Sequence, residues 1–171
     1  MSKICIYIEM ETYLAQWFIH EQGGECPVHL LRGSLESKIL ELYLQHRPDG
    51  VLPESGEGKL AIAIPSFRHK TPEVFNYLPK HATLALRGII RNRFDVQLYS
   101  DLHNFGNITK RQDELIFAWM EKHEIELTEK HWNAIAKRYQ RQRVLYIKRE
   151  WAKNHPTQKK LLDFKHSKNK N

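Results

Sequence analysis

The chain has 171 residues, with 27 Lys and Arg against 20 Asp and Glu, 41 % hydrophobic residues and two cysteines. This composition excludes a wholly disordered chain, a fibrous repeat and a disulfide framework, and the length is enough to bury a core. The formal charge of +7 is unevenly placed: residues 137–171 hold 12 Lys and Arg against Glu150 and Asp163, a net of +10, and residues 1–136 carry −3.

The opening MSKICIYIEM has neither the apolar core nor the small-residue cleavage site of a secretory signal. No later run approaches the ~20 apolar residues of a membrane span, so a cytoplasmic protein without a membrane partner is expected. Lys3 to Ile8 alternates and is β-branched, which predicts a strand. Thr12 to Gln22 carries Leu14, Trp17, Phe18 and Ile19 at helical spacing, and Gly23-Gly24 ends that helix. Pro27 to Leu31 reads as a second strand. Ser34 can cap a helix with Leu35, Ile39, Leu42 and Tyr43 on one face, stopped by Arg47-Pro48-Asp49-Gly50. Residues 48–58 form a loop, and Lys59 to Ile64 reads as a third strand before Pro65. Residues 1–66 therefore read as a small α/β unit.

Beyond Pro65 the pattern becomes helical, with Pro72 and Pro79 suited to first turns. Ala82 to Arg91 predicts a helix, and Phe94, Val96, Leu98, Tyr99 and Leu102 prolong the apolar pattern to Asn104. Phe105-Gly106-Asn107 breaks it. Thr109 can cap a helix running to about His123, with Leu115, Ile116, Trp119 and Met120 inward. Thr128 can cap a longer one, Glu129 to Lys153, limited by Pro156. The predicted fold is α+β: a small β-sheet with helices at the N-terminus, a helical region over 67–153 with a helix-turn-helix-like pair at 109–153, and a basic flexible tail over 154–171.

That pair carries the functional expectation. In a helix-turn-helix the second helix enters the major groove and its exposed face reads bases. Trp132, Ile135, Ala136 and Tyr139 are expected inward, and Asn133, Lys137, Arg138, Gln140 and Arg141 outward. Asn, Gln and Arg are the types that pair with base edges, and Lys is a phosphate contact. Arg143, Lys148, Arg149 and Lys153 continue the positive run, interleaved with Tyr139, Tyr146 and Trp151. The expected nucleic-acid-binding residues are Asn133, Lys137, Arg138, Arg141, Arg143, Lys148, Arg149 and Lys153. Glu126 and Glu129 at the helix start and a turn without glycine oppose a groove-reading role. Val144, Leu145, Ile147 and Trp151 form an apolar stripe suited to a partner helix, so a homodimer seam is the competing use of the same element.

Weaker patterns stand beside it. Arg87, Arg91 and Arg93 form a short basic patch, read first as a solvated face, and Ser66 to Lys70 a basic-aromatic loop. Gln158, Leu161 and Phe164 have the spacing of short peptides that dock on DNA sliding clamps. Cys5, His20, Cys26 and His29 are the one soft-ligand set. Asp95, Asp101 and His103 can be drawn as a metal-dependent nuclease site, but solvated helix charges fit them better. There is no GxxxxGK[ST], GxGxxG, GxSxG or HExxH, so no catalytic residue and no cofactor are assigned. The expectation is a non-catalytic protein binding nucleic acid, double-stranded DNA before RNA, as a transcriptional regulator or accessory factor of a phage or mobile element. The alternative is a structural protein that assembles through the basic helix.

Overall fold

The fold is taken from a computed structural model, which describes residues 4–53, 56–105 and 112–154. It is α+β. The order is β1 (Cys5–Ile8), α1 (Thr12–Glu21), α2 (Leu35–Tyr43), β2 (Gln45–His46), β3 (Leu60–Ala63), β4 (Phe75–Tyr77), α3 (Lys80–Phe105), α4 (Gln112–Lys122) and α5 (Glu129–Asn154). β1 and β3 pair antiparallel with Ile6 opposite Ile62, and β2 pairs with β4 in a second two-stranded sheet. Among the described residues no helix is long and apolar enough to cross a membrane.

The expected strand at Pro27–Leu31 reduces to one rung. Val28 donates to the Ala61 carbonyl and accepts from Ala63 N–H, both at 2.9 Å, on the open edge of β3. Gly33 at φ +82 then turns the chain away, and Leu31 is exposed. β2 and β4, of two and three residues, went unpredicted because they are too short and too polar for alternation to register.

The expected face of α2 is also corrected. Leu35 and Leu42 are exposed, and the buried residues of the helix are Glu36, Ser37 and Leu40. The Glu36 carboxylate turns inward to the Arg93 guanidinium at 3.4 Å, so a charge sits where the apolar period would have placed a leucine. The Ser34 hydroxyl does cap α2, accepting from Ser37 N–H at 3.1 Å. Its other end is closed by Lys70, whose ammonium donates to the carbonyls of Glu41, Leu42 and Leu44. A cation on unsatisfied carbonyls at a helix C-terminus meets both their hydrogen-bonding need and the helix dipole.

The helix expected from Ala82 and the apolar pattern that prolongs it to Asn104 form one helix, α3, of 26 residues. Ala82, Leu86, Ile90, Phe94, Leu98 and Leu102 are all buried along it. A strict four-residue step advances about 40° beyond a full turn each time, so this row winds roughly 200° around the helix. The winding lets one helix meet α1 and α2 as well as α4 and α5. Phe94 is its aromatic centre, edge-on to Trp17, Tyr13 and Trp119 at 5.2, 5.6 and 5.4 Å between ring centroids. One apolar cluster runs from Ile6 to Tyr139, so segments 1–66 and 67–153 share a core.

Candidate nucleic-acid interface

α4 and α5 are two successive helices joined by a short turn over 123–128, at the place where the sequence predicts a helix pair. The Thr109 cap and the break at Phe105-Gly106-Asn107 fall at least partly outside the described residues. The turn lacks glycine because Glu124 takes the left-handed position at φ +53. Glu124 N–H donates to the Glu121 carbonyl and Ile125 N–H to that of Met120, closing α4 with the paired bonds that usually go with glycine. Thr128 caps α5, accepting from His131 N–H at 3.2 Å.

The first half of α5 is packed. His131, Ile135, Ala136 and Tyr139 are buried, and Trp132 is half-buried. Arg138, expected to face outward, is drawn inward instead. Its Nη1 donates to both Asp95 oxygens at 2.8 and 3.0 Å, its Nε donates to the Tyr13 hydroxyl at 2.8 Å, and its guanidinium lies over the Phe94 ring. Burial disfavours the guanidinium charge, but the hydrogen bonds to Asp95 and the nearby tyrosine outweigh it and hold the Arg138 pKa above its ordinary value. Burial likewise raises the Tyr13 pKa, against the opposing pull of Arg138. Arg138 is thus committed within the fold and is not presented for base contact.

Beside this ion pair a cleft of about 450 Å³ opens between the start of α1 and the face of α5. Lys130, Lys137, Arg138 and Arg141 line one wall, and Met10, Glu11, Thr12 and Tyr13 the other. Glu11 is not a free anion there, since its carboxylate lies 2.5 Å from Arg91 Nη2 and 3.7 Å from Arg87 Nη2. Lys130 went unpredicted, although it lies seven residues before Lys137 on the same helix face.

Past Tyr139 no described residue of α5 is buried. Lys137, Arg141 and Lys148 are exposed and fall within about 40° of one another around the helix, with Arg149 further round. Arg143 is also exposed. Among the described residues none of these five forms an ion pair. Lys153 does, with Glu150 at 2.7 Å, and that bond raises its pKa. Asn133 is half-buried and does not line the cleft. Of the eight expected residues, then, the cleft gathers Lys137, Arg138 and Arg141. The helix beyond carries Arg143, Lys148, Arg149 and Lys153.

The weaker patterns resolve differently. Arg87 and Arg91 pair with Glu11, and Arg93 with Glu36, so the arginine patch is not a plain solvated face. Asp95, Asp101 and His103 do not converge: Asp95 holds Arg138, Asp101 accepts from the Trp119 indole at 2.9 Å, and His103 stacks on Tyr99. Of the soft-ligand set only His20 joins a metal-type cluster among the described residues, with Glu21 and His123. Gln158, Leu161 and Phe164, Pro156 and the tail beyond lie outside the described residues. No protein-family model matches the chain, and neither the curated proteins nor the solved structures contain a significant match to it.

Proposed function

We propose that the protein binds a nucleic-acid backbone, without catalysis, through the basic cleft and the exposed cations of α5. The observation that supports this reading is the cleft itself, where Lys130, Lys137 and Arg141 line a groove. Lys148 extends the same helix face about 16 Å beyond Lys137, a span covering several successive phosphates. Duplex DNA is the preferred ligand, with RNA the competitor in the test. Backbone contact is favoured over base readout, because Arg138 is held by Asp95 and Asn133 is half-buried. A role as transcriptional regulator or accessory factor of a phage or mobile element would then rest on affinity and placement more than on a read sequence.

The test is the affinity of the full chain for a duplex DNA and a matched duplex RNA across a salt series. Replacing Lys137 and Arg141 together by Ala should lower the log–log slope by about 1.8 and weaken binding to unrelated sequences equally. No salt-dependent binding near 100 mM salt would end the nucleic-acid reading.

A second reading has its own observation. Val144 and Ile147 are 49 % and 55 % exposed on the outer half of α5, and Val144 lies among the cations. A second copy of the chain would bury them, and light scattering of the wild type beside Val144→Lys distinguishes a dimer seam from a bare basic face.

A further inference from the structure

The far end of α1 carries a cluster that the nucleic-acid reading leaves unused. His20 and Glu21 close α1, and His123 caps α4. One ligand-type atom from each lies within 4.8 Å of the other two. The His123 side chain is only 3 % exposed and has a carboxylate on either side, Glu21 Oε1 at 3.2 Å from Nδ1 and Asp101 Oδ2 at 3.6 Å from Nε2. Its Nε2 is buried without a hydrogen-bond partner.

A neutral imidazole has one N–H and one lone pair. Between two carboxylates it can satisfy only one of them, and its other nitrogen then meets oxygen lone pairs across a short gap. A cation in that gap removes the conflict. The Trp119 indole donates to the same Asp101 oxygen and holds it in place, so Asp101 is set to receive the Nε2 proton of His123. That leaves Nδ1 facing Glu21 as the ligating atom. A carboxylate behind a ligating histidine is the usual outer arrangement of zinc sites.

The backbone favours positive charge at the same spot. Two helix C-termini meet there, each closed by the same pair of bonds. In α1 Gly23, at φ +105, donates to the His20 carbonyl and Gly24 to that of Ile19. In α4 Glu124 and Ile125 make the equivalent bonds. The negative ends of both helix dipoles therefore lie beside the cluster. Glu124 adds a carboxylate oxygen 3.5 Å from His20 Nδ1, and Lys122 opposes from the solvent side. His20, 31 % exposed, provides the way in.

We propose that His20, Glu21 and His123 bind a zinc-class divalent cation, with Asp101 orienting His123 from behind. Two imidazoles and a carboxylate are the donor set that selects zinc and its neighbours over calcium or magnesium. Bonds of about 2.1 Å in a tetrahedral site put ligand atoms about 3.4 Å apart, close to the 3.2 Å already between Glu21 Oε1 and His123 Nδ1, so binding chiefly brings His20 in toward that pair. The ion would pin the end of α1 to the end of α4.

The test uses the chelator-treated full-length chain, titrated with Zn²⁺ and, for its visible spectrum, Co²⁺. The expected result is one ion per chain, a melting temperature raised by several degrees, visible bands with Co²⁺, and a change in fluorescence from Trp119, whose ring lies 4.3 Å from that of His123. His20→Ala and Glu21→Gln, both outside the packed core, should each weaken binding about tenfold or more, whereas Cys26→Ser and His29→Ala leave it unchanged. The absence of stoichiometric binding at micromolar metal overturns the proposal. Binding that survives both His20→Ala and Glu21→Gln, or that fails with Cys26→Ser, overturns it equally.

Discussion

The two halves of α5 obey different rules although they form one unbroken helix. From Glu129 to Tyr139 every turn presents a residue to the core, and the one arginine is answered by Asp95 and Tyr13. From Gln140 to Asn154 nothing is buried, and cations alternate with exposed Val144, Leu145 and Ile147. Charge alone does not distinguish an interaction residue from a structural one. Arg138 and Arg141 are one turn apart and look alike in the sequence, yet one is spent on the fold and the other faces the cleft and solvent.

Substitutions should separate the halves, beginning with the most damaging. Ile135→Ala, at a fully buried site of the inner half, should cost about 2–5 kcal/mol in denaturant unfolding, from lost transfer energy and the cavity left behind. Arg138→Met should cost about 2–4 kcal/mol, because it strands the Asp95 carboxylate in a largely buried position. Adding Asp95→Asn should recover part of that loss, and a double-mutant cycle measures the coupling. Neither the salt slope nor the sequence tolerance of nucleic-acid binding should change with Arg138→Met while the protein stays folded. A slope reduced by a full contact would show that Arg138 reaches phosphate after all.

Acid should act at the wall of the cleft that faces the inner half. Burial works to raise the Glu11 pKa, but its own backbone N–H, Arg91 and Arg87 prevail and hold it below the ordinary 4.5. The folded chain therefore binds fewer protons there than the unfolded chain. The resulting stability is complete above 4.5 and is lost as pH falls through the lowered value. The stability gap between wild type and Glu11→Gln, followed from about pH 6 to about pH 3, should close over that window. A gap that stays constant would mean that the ion pairs with Arg87 and Arg91 contribute nothing to folding. The smallest effect belongs to the outer half, where Ile147→Ala should leave stability within about 0.5 kcal/mol. A loss of 2 kcal/mol or more would show that this half is covered in solution.

Sequence periodicity was a good guide wherever the buried face was purely apolar. Leu14, Trp17 and Phe18 in α1, Ile116, Trp119 and Met120 in α4, and Ile135, Ala136 and Tyr139 in α5 all lie inward as spaced. It failed where a polar group was buried with a distant partner. Glu36 is inward because Arg93 is 57 residues away along the chain, and Arg138 because Asp95 is 43 away. No local pattern carries that information. The cluster at His20, Glu21 and His123 escaped for the same reason, since His123 joins Glu21 across 102 residues. Cys26 and His29, by contrast, had ligand-like local spacing, but no such cluster among the described residues includes them.

The winding row on α3 makes that helix a counted length as well as a scaffold. One residue inserted between Leu86 and Ile90 would turn everything after it by about 100° and advance it about 1.5 Å. Phe94 would leave its aromatic partners, Asp95 would leave Arg138, and Asp101 would leave Trp119, all from a single change upstream of them. A residue inserted in α5 after Tyr146 would turn only side chains that are already largely exposed. The fold should therefore exclude insertions and deletions from α3 and tolerate them in the outer half of α5, where they would keep the core in register and move only Lys148 and the cations beyond it around the helix.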